Sequence, residues 1–179
     1  MELSSIQDIQ TIALTAVMLT GMAWDLKERR IPNWLTVTGL AVALGLRALP
    51  GGPELVPGLL GALLALLITL PLFALGGFGG GDAKLLIAAG GFLGPRTLLS
   101  ACVLVAVFGG LLALITALRG GVMLRALGNA RDLIVWAVTL GRSGELHTLE
   151  SEGAITIPYG VAVAAGALSV WFFPAMNLI

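Results

Sequence analysis

The chain has 179 residues, of which 58% are hydrophobic and only 11% are charged. Soluble domains contain roughly 45–50% apolar and about 25% charged residues, so this composition excludes an ordinary soluble domain and indicates an integral membrane protein. Its ten basic and ten acidic residues cancel, which leaves no excess positive charge for a nucleic-acid partner. We therefore expect one domain, residues 1–179, embedded in a lipid bilayer.

Six apolar segments are candidates for membrane-spanning helices, since a spanning helix needs about 20 mostly apolar residues. In chain order they run approximately over Ile9–Trp24, Trp34–Leu49, Leu55–Leu75, Ala83–Leu93, Leu98–Leu118 and Ile157–Phe173. The second is short, and the fourth is too short to span unless neighbouring residues extend it. No basic residue precedes Lys27, which is unlike a signal peptide, so we expect the first segment to be retained. The sequence thus predicts an all-α fold with about six transmembrane helices.

Residues 119–156 separate the fifth and sixth segments. Their first half, "GVMLRALGNARDLIVWAVTLGR", places Arg125, Arg131 and Asp132 among apolar residues. We predict an amphipathic helix at the membrane interface here, with an additional partial span as the alternative. The second half, "SGELHTLESEG", is polar and is predicted to be a loop.

Neither a disulfide nor a cofactor is predicted. Cys102 is the only cysteine, lies in an apolar run and is expected to pack as a small side chain. His147, Glu150 and Glu152 cluster in the polar loop, and histidine and carboxylates are metal ligands. A solvated loop is nevertheless the favoured interpretation, so we predict no metal site.

The basic residues predict the orientation of the six segments, because cytoplasmic loops are enriched in lysine and arginine. Eight of the ten fall on one side of a six-span arrangement, and only Arg47 and Arg96 fall on the other. The eight are Lys27, Arg29, Arg30, Lys84, Arg119, Arg125, Arg131 and Arg142. The side with eight is predicted to be cytoplasmic, and it includes the stretches "WDLKERRIPNW" and "GGFGGGD".

Two aspartates are predicted to lie at this cytoplasmic face. Asp25 ends the first segment and Asp82 starts the fourth. Two carboxyl groups in a small site cannot both ionise cheaply, so one stays protonated while the other serves as a base. Such a pair can activate water against a peptide carbonyl without a metal or a nucleophilic side chain. Each aspartate also has a structural interpretation: Asp82 as the N-cap of the fourth helix, and Asp25 as a solvated interfacial charge.

Three motifs together resemble the type IV prepilin peptidases, which are GxGD-type aspartic membrane proteases. They are "DLKERRIPN" beginning at Asp25, "GGGDAKLL" around Asp82, and "IPYG" at residues 157–160. The resemblance extends from about residue 23 to about residue 167. Tyr159, in the third motif, is expected to be an interfacial anchor or a hydrogen-bond partner in the site.

The resemblance implies an activity and a set of site residues. Members of the family remove a short, basic leader from type IV prepilins or pseudopilins at the cytoplasmic face of the inner membrane. Carried over to this chain, the catalytic pair is Asp25 and Asp82. Gly79 and Gly81 belong to the GxGD motif and, with Lys84, are expected to contact the substrate, although Lys84 could instead extend to the membrane interface. Because glycine has no side chain, these two positions could let the substrate backbone approach closely, or could themselves adopt a positive φ.

The chain departs from the larger members of the family. Those carry two CxxC pairs that are linked to methylation of the new pilin end, and this sequence has none. It therefore looks like the short, peptidase-only branch that serves tight-adherence (Flp) pili, and methylation is not expected. The sequence leaves open whether the chain forms a homo-oligomer. The alternatives to a peptidase are a proton- or ion-coupled transporter subunit and a non-catalytic subunit of a pilus machine.

Overall fold

The computed structural model describes residues 3–74, 78–120 and 158–178. Within these ranges the chain is helical and has no β-strand, which confirms the all-α prediction. The six α-helices are α1 (Leu3–Glu28), α2 (Asn33–Ala48), α3 (Leu55–Ala74), α4 (Gly80–Leu93), α5 (Pro95–Arg119) and α6 (Tyr159–Phe172), followed by a short 3₁₀-helix, Pro174–Met176. The predicted interfacial helix and the polar loop after it lie outside the described residues.

Helix α4 is at the centre of the fold and contacts each of the other five α-helices. Its side chains are buried along most of its length, including the fully buried Leu85 and Phe92. At 14 residues it is about 21 Å long at 1.5 Å per residue, shorter than the roughly 30 Å of a bilayer core. The expectation that the fourth segment is short is therefore confirmed.

The outer surface of the described helices is strongly apolar. Three helical stretches are long and apolar enough to cross a membrane, namely Ile6–Glu28, Leu55–Ala74 and Pro95–Arg119, and Tyr159–Phe172 is a shorter apolar helix. Exposed leucines cover much of α3: Leu59, Leu60, Leu63, Leu66, Leu67 and Leu70. Such a surface suits contact with lipid. The membrane character is supported, whereas six spans stay a prediction.

Helices α3 and α4 approach each other backbone to backbone. A Cβ atom on Gly90 would lie 2.5 Å from the carbonyl oxygen of Gly61, and a Cβ on Gly61 would overlap the carbonyl oxygen of Gly90. Only residues without a side chain permit this distance, and such small-residue contacts are common between membrane helices. At the end of α4, Gly94 has a φ of 75°, and Pro95 starts α5 directly after it.

A tight turn joins α1 to α2. The N–H of Arg29 donates to the carbonyl oxygen of Asp25 at 3.0 Å, and Arg29 has a φ of 53°. A left-handed conformation costs a non-glycine residue about 1–2 kcal/mol, so the surrounding contacts must hold it. Trp24 and Trp34 pack edge to face across the turn, with ring centroids 5.7 Å apart. The turn brings the end of α1 beside the start of α2.

Arg47 joins the end of α2 to the end of α4. Its side chain is only 9% exposed. Its guanidinium group donates three hydrogen bonds to carbonyl oxygens: Nε to Gly91 at 2.9 Å, Nη1 to Glu54 at 3.0 Å and Nη2 to Phe92 at 2.6 Å. Carbonyl groups in the last turn of a helix have no partner within the helix, and a cation there is favourable. In the sequence, Arg47 was used only to predict orientation, so this role was missed.

Candidate active site

A cavity of about 430 Å³ lies where α1 ends and where α2 and α4 begin. It is lined mainly by charged residues, an asparagine and glycines: Asp25, Arg29, Arg30, Ile31, Asn33, Gly79, Gly80, Gly81, Asp82 and Lys84. All five residues that the sequence assigned to a site are among them. The cavity therefore joins two motifs that are more than fifty residues apart in the chain.

Asp25 lies in the last turn of α1 and is 5% exposed. Its Oδ2 accepts a hydrogen bond of 2.8 Å from the main-chain N–H of Gly160, the second residue of α6. The first N–H groups of a helix have no partner within the helix and carry the positive end of its dipole. The start of α6 thus supplies a donor that favours a negatively charged Asp25.

Asp82 is the third residue of α4, and the N-cap position belongs to Gly79. The interpretation of Asp82 as the N-cap is therefore wrong. Asp82 lies outside the three stretches long enough to cross a membrane. Burial, and then the negative charge of Asp25, raise the pKa of Asp82 to about 7, although the N–H of Gly160 partly opposes this. Near neutral pH this carboxyl group can hold or release a proton.

The two carboxyl groups form one electrostatic unit. They interact strongly enough for the charge of Asp25 to hinder ionisation of Asp82. The guanidinium group of Arg29 acts on Asp25, and Asp82 acts on Tyr159 at the start of α6. Tyr159 also packs against Phe78, with ring centroids 5.6 Å apart. Three helices, α1, α4 and α6, consequently contribute to the surroundings of the pair.

The glycines of the GxGD motif make room at the site. A Cβ on Gly79 would lie 2.6 Å from Oδ2 of Asp82, and a Cβ on Gly81 would lie 3.1 Å from the Cβ of Ile31. Gly79 has a φ of −70°, and neither glycine has a positive φ. The suggestion that they adopt a positive φ is therefore wrong, whereas steric crowding provides a reason for glycine at both positions.

Lys84 extends across the edge of the cavity. Its Nζ donates a hydrogen bond of 2.8 Å to Oδ1 of Asn33, the first residue of α2. The bond is exposed and links the start of α2 to the N-terminal part of α4. Lys84 was a predicted site residue and Asn33 lies in the first motif, but nothing in their spacing of 51 positions indicated this contact.

Gly160 is the site residue that sequence reasoning missed. A Cβ at this position would lie 2.9 Å from both the Cβ and Oδ2 of Asp25, so glycine allows α6 to approach the carboxylate. The "IPYG" motif was the available signal, but a role was predicted only for its tyrosine. The metal-site alternative at His147, Glu150 and Glu152 lies outside the described residues.

A family model described as the type IV leader peptidase family matches residues 12–114. The chain belongs to this family. The match includes both aspartates and the glycines between α3 and α4, and it confirms the resemblance carried by the sequence motifs. No curated protein and no solved structure matches the chain.

Membership in the type IV leader peptidase family makes the chain a peptidase related to those that process prepilins. The matched region ends within α5, so the start of α6 lies beyond it. The contribution of Gly160 to the site therefore rests on the geometry of this chain alone.

Proposed function

We propose that this type IV leader peptidase is a membrane aspartic endopeptidase. It removes the short, basic leader from type IV prepilin-like substrates, Flp pilins or pseudopilins, at the cytoplasmic face of the inner membrane. Asp25 and Asp82 are its catalytic residues. The observation that carries the proposal is their interaction within one cavity, with the pKa of Asp82 raised to about 7.

In this mechanism the two carboxyl groups share one proton. The ionised group removes a proton from water as the water oxygen attacks the peptide carbonyl carbon, while the protonated group donates its proton to the carbonyl oxygen. In the second step the roles reverse: the first group protonates the amide nitrogen, the C–N bond breaks, and the second group regains its proton. The cycle consumes one water and restores the starting state.

Gly79, Gly81 and Lys84 are proposed to contact the substrate. They line the cavity beside Asp82, and the missing side chains of the two glycines leave room for a peptide backbone. The cavity volume of about 430 Å³ falls within the range of roughly 300–1,000 Å³ that is usual for ligand sites.

We also propose that residues 1–179 form one membrane-embedded peptidase domain with six spans and the cavity on the cytoplasmic side. In support, Arg29, Arg30 and Lys84 line the cavity, whereas Arg47 bonds the opposite end of α4. A reporter fused after Arg30 should report a cytoplasmic location and one fused after Pro50 a periplasmic location. The reverse pattern would overturn the orientation.

The decisive experiment is processing of a co-expressed prepilin by Asp25→Asn, Asp82→Asn and the double variant. Each single substitution should lower the rate by about a thousandfold or more, because neither half of the acid–base pair works alone. The double variant should be no worse than the single ones, since the pair acts as one unit. Asp8→Asn is the matched control, because Asp8 is an exposed carboxylate on the same helix.

Membrane levels of all variants must equal those of the wild type. Near wild-type processing by Asp25→Asn would show that the paired-aspartate mechanism does not operate in this chain. If processing survives both substitutions while proton-coupled flux in vesicles is lost, the protein is a transporter subunit instead.

A further inference from the structure

The start of α6 distinguishes the two members of the aspartate pair. The N–H of Gly160 is close enough to influence both carboxyl groups, but its hydrogen bond goes to Oδ2 of Asp25, at 2.8 Å. Because Gly160 is the second residue of α6, this N–H has no acceptor within its own helix. The donor is thus available for the carboxylate without any loss of helical hydrogen bonding.

The position also requires a residue without a side chain. The Cβ of any other residue would lie 2.9 Å from Oδ2 of Asp25. Gly160 is buried, so water does not compete freely for its N–H. The helix start, the missing side chain and the burial together direct one main-chain donor at one carboxylate oxygen.

The charged groups around the pair also act differently on Asp25 and on Asp82. From the turn after α1, Arg29 acts on Asp25 and Arg30 lines the cavity. From α4, Asp82 faces Asp25, and Lys84 is bound to Asn33. From α6, the one titratable neighbour is Tyr159, which interacts with Asp82. Burial disfavours the charged form of both carboxyl groups, but the hydrogen bond from Gly160 and the charge of Arg29 oppose it at Asp25, whereas the negative charge of Asp25 adds to it at Asp82.

We propose that the main-chain N–H of Gly160 is a positioning group that keeps Asp25 as the ionised member of the pair, which makes Asp25 the base and Asp82 the acid. This inference rests on the proposed function. In the first step Asp25 takes the proton from the attacking water, and Asp82 gives its proton to the carbonyl oxygen. In the second step Asp25 protonates the leaving amine, and Asp82 takes a hydroxyl proton from the tetrahedral intermediate as the C–N bond breaks.

An amide-to-ester replacement at position 160 tests this assignment. Glycolic acid incorporated there by nonsense suppression removes the N–H and adds no atoms beyond the oxygen that replaces the nitrogen. The matched control is the equivalent replacement at Val161, whose N–H donates to the carbonyl oxygen of Pro158 at 3.1 Å instead of to Asp25. The measurement is the pH dependence of kcat/KM for cleavage of a prepilin by the full chain in lipid nanodiscs.

The acidic limb of this profile reports the base, and the basic limb reports the acid. We expect the ester at 160 to move the acidic limb upwards by about one pH unit, because a hydrogen bond to a charged group is lost. The basic limb should stay near its wild-type position, and the control at 161 should shift neither limb.

A movement of the basic limb alone would assign the acid to Asp25 and overturn the proposal, as would a profile unchanged by the ester. If the ester protein does not insert, Gly160→Ala takes its place, since its Cβ displaces the carboxylate from the N–H and should move the same limb. A wild type without cleavage activity would instead refute the proposed function, so the two failures are distinguishable.

Discussion

At its C-terminal end α4 is held by Arg47, whereas at its N-terminal end it carries Asp82 into a cavity. The C-terminal carbonyl oxygens of Gly91 and Phe92 receive a buried cation, which matches the negative end of the helix dipole. The N-terminal end starts at Gly79 without any side-chain cap, and the acid in its first turn has a pKa raised to about 7.

An acid in the first turn should ionise easily, because the positive end of the helix dipole favours a negative charge there. Burial and the charge of Asp25 outweigh that tendency at Asp82. The C-terminal end thus maximises satisfied hydrogen bonds, while the N-terminal end keeps a proton that it can exchange. One short helix thus carries a stabilising contact at its C-terminal end and a proton-exchanging group at its N-terminal end. Substitutions at either end test whether stability and activity depend on different ends of α4.

The largest effect on stability is expected from Arg47→Met. Methionine fills the space of the arginine stem but leaves three carbonyl oxygens without their donor. The free energy of unfolding should fall by about 2–4 kcal/mol. Unfolding in mixed detergent micelles measures this, and the pH profile of cleavage by the remaining folded protein should be that of the wild type.

Two variants control this prediction. Arg47→Lys keeps the charge but cannot reach three carbonyl groups with one ammonium, so its stability should lie between those of the wild type and Arg47→Met. Arg96→Met removes an exposed arginine from the first turn of α5 and should leave stability unchanged. A change in the pH profile of Arg47→Met would show that the two ends of α4 are coupled.

The sequence predicted the helices well because long apolar runs with Gly and Pro at their borders allow few other structures in a membrane. It also predicted that Asp25 and Asp82 lie at one face, since they stand at matching helix ends, and both line one cavity; their catalytic role stays a prediction. The contacts of Arg47 with the end of α4 and of Gly160 with Asp25 escaped prediction because they join residues 44 or more positions apart. The N-cap of α4 was misplaced because aspartate and glycine are both common at that position.

Glycine-to-alanine substitutions at the two ends form a matched pair. In Gly90→Ala the new Cβ would lie 2.5 Å from a main-chain oxygen of α3, which cannot move without shifting a helix. This substitution should destabilise the fold by about 1–3 kcal/mol. In Gly79→Ala the new Cβ would lie 2.6 Å from Oδ2 of Asp82, which can rotate away. Cleavage should fall about tenfold or more, with about 1 kcal/mol or less lost in stability.

Measuring the unfolding free energy and kcat for both variants checks this pair. An equal loss of stability in Gly79→Ala and Gly90→Ala would mean that the motif glycines serve packing alone. Full activity in Gly79→Ala would mean that the position of the Asp82 carboxyl group does not limit the reaction.

The smallest effect on cleavage is expected from Lys84→Met. The kinetic constant that changes distinguishes two possible roles for this residue. If Lys84 serves only to link α4 to α2 through Asn33, Lys84→Met and Asn33→Ala should each lower cleavage by about two- to fivefold, because exposed polar pairs contribute little. Combining them should then add no further loss, since both remove the same bond. If Lys84 contacts the substrate, as proposed, Lys84→Met should raise KM while Asn33→Ala should not. Steady-state kinetics on the two single variants and the double variant therefore decide whether the edge of the cavity belongs to the scaffold or to the binding site.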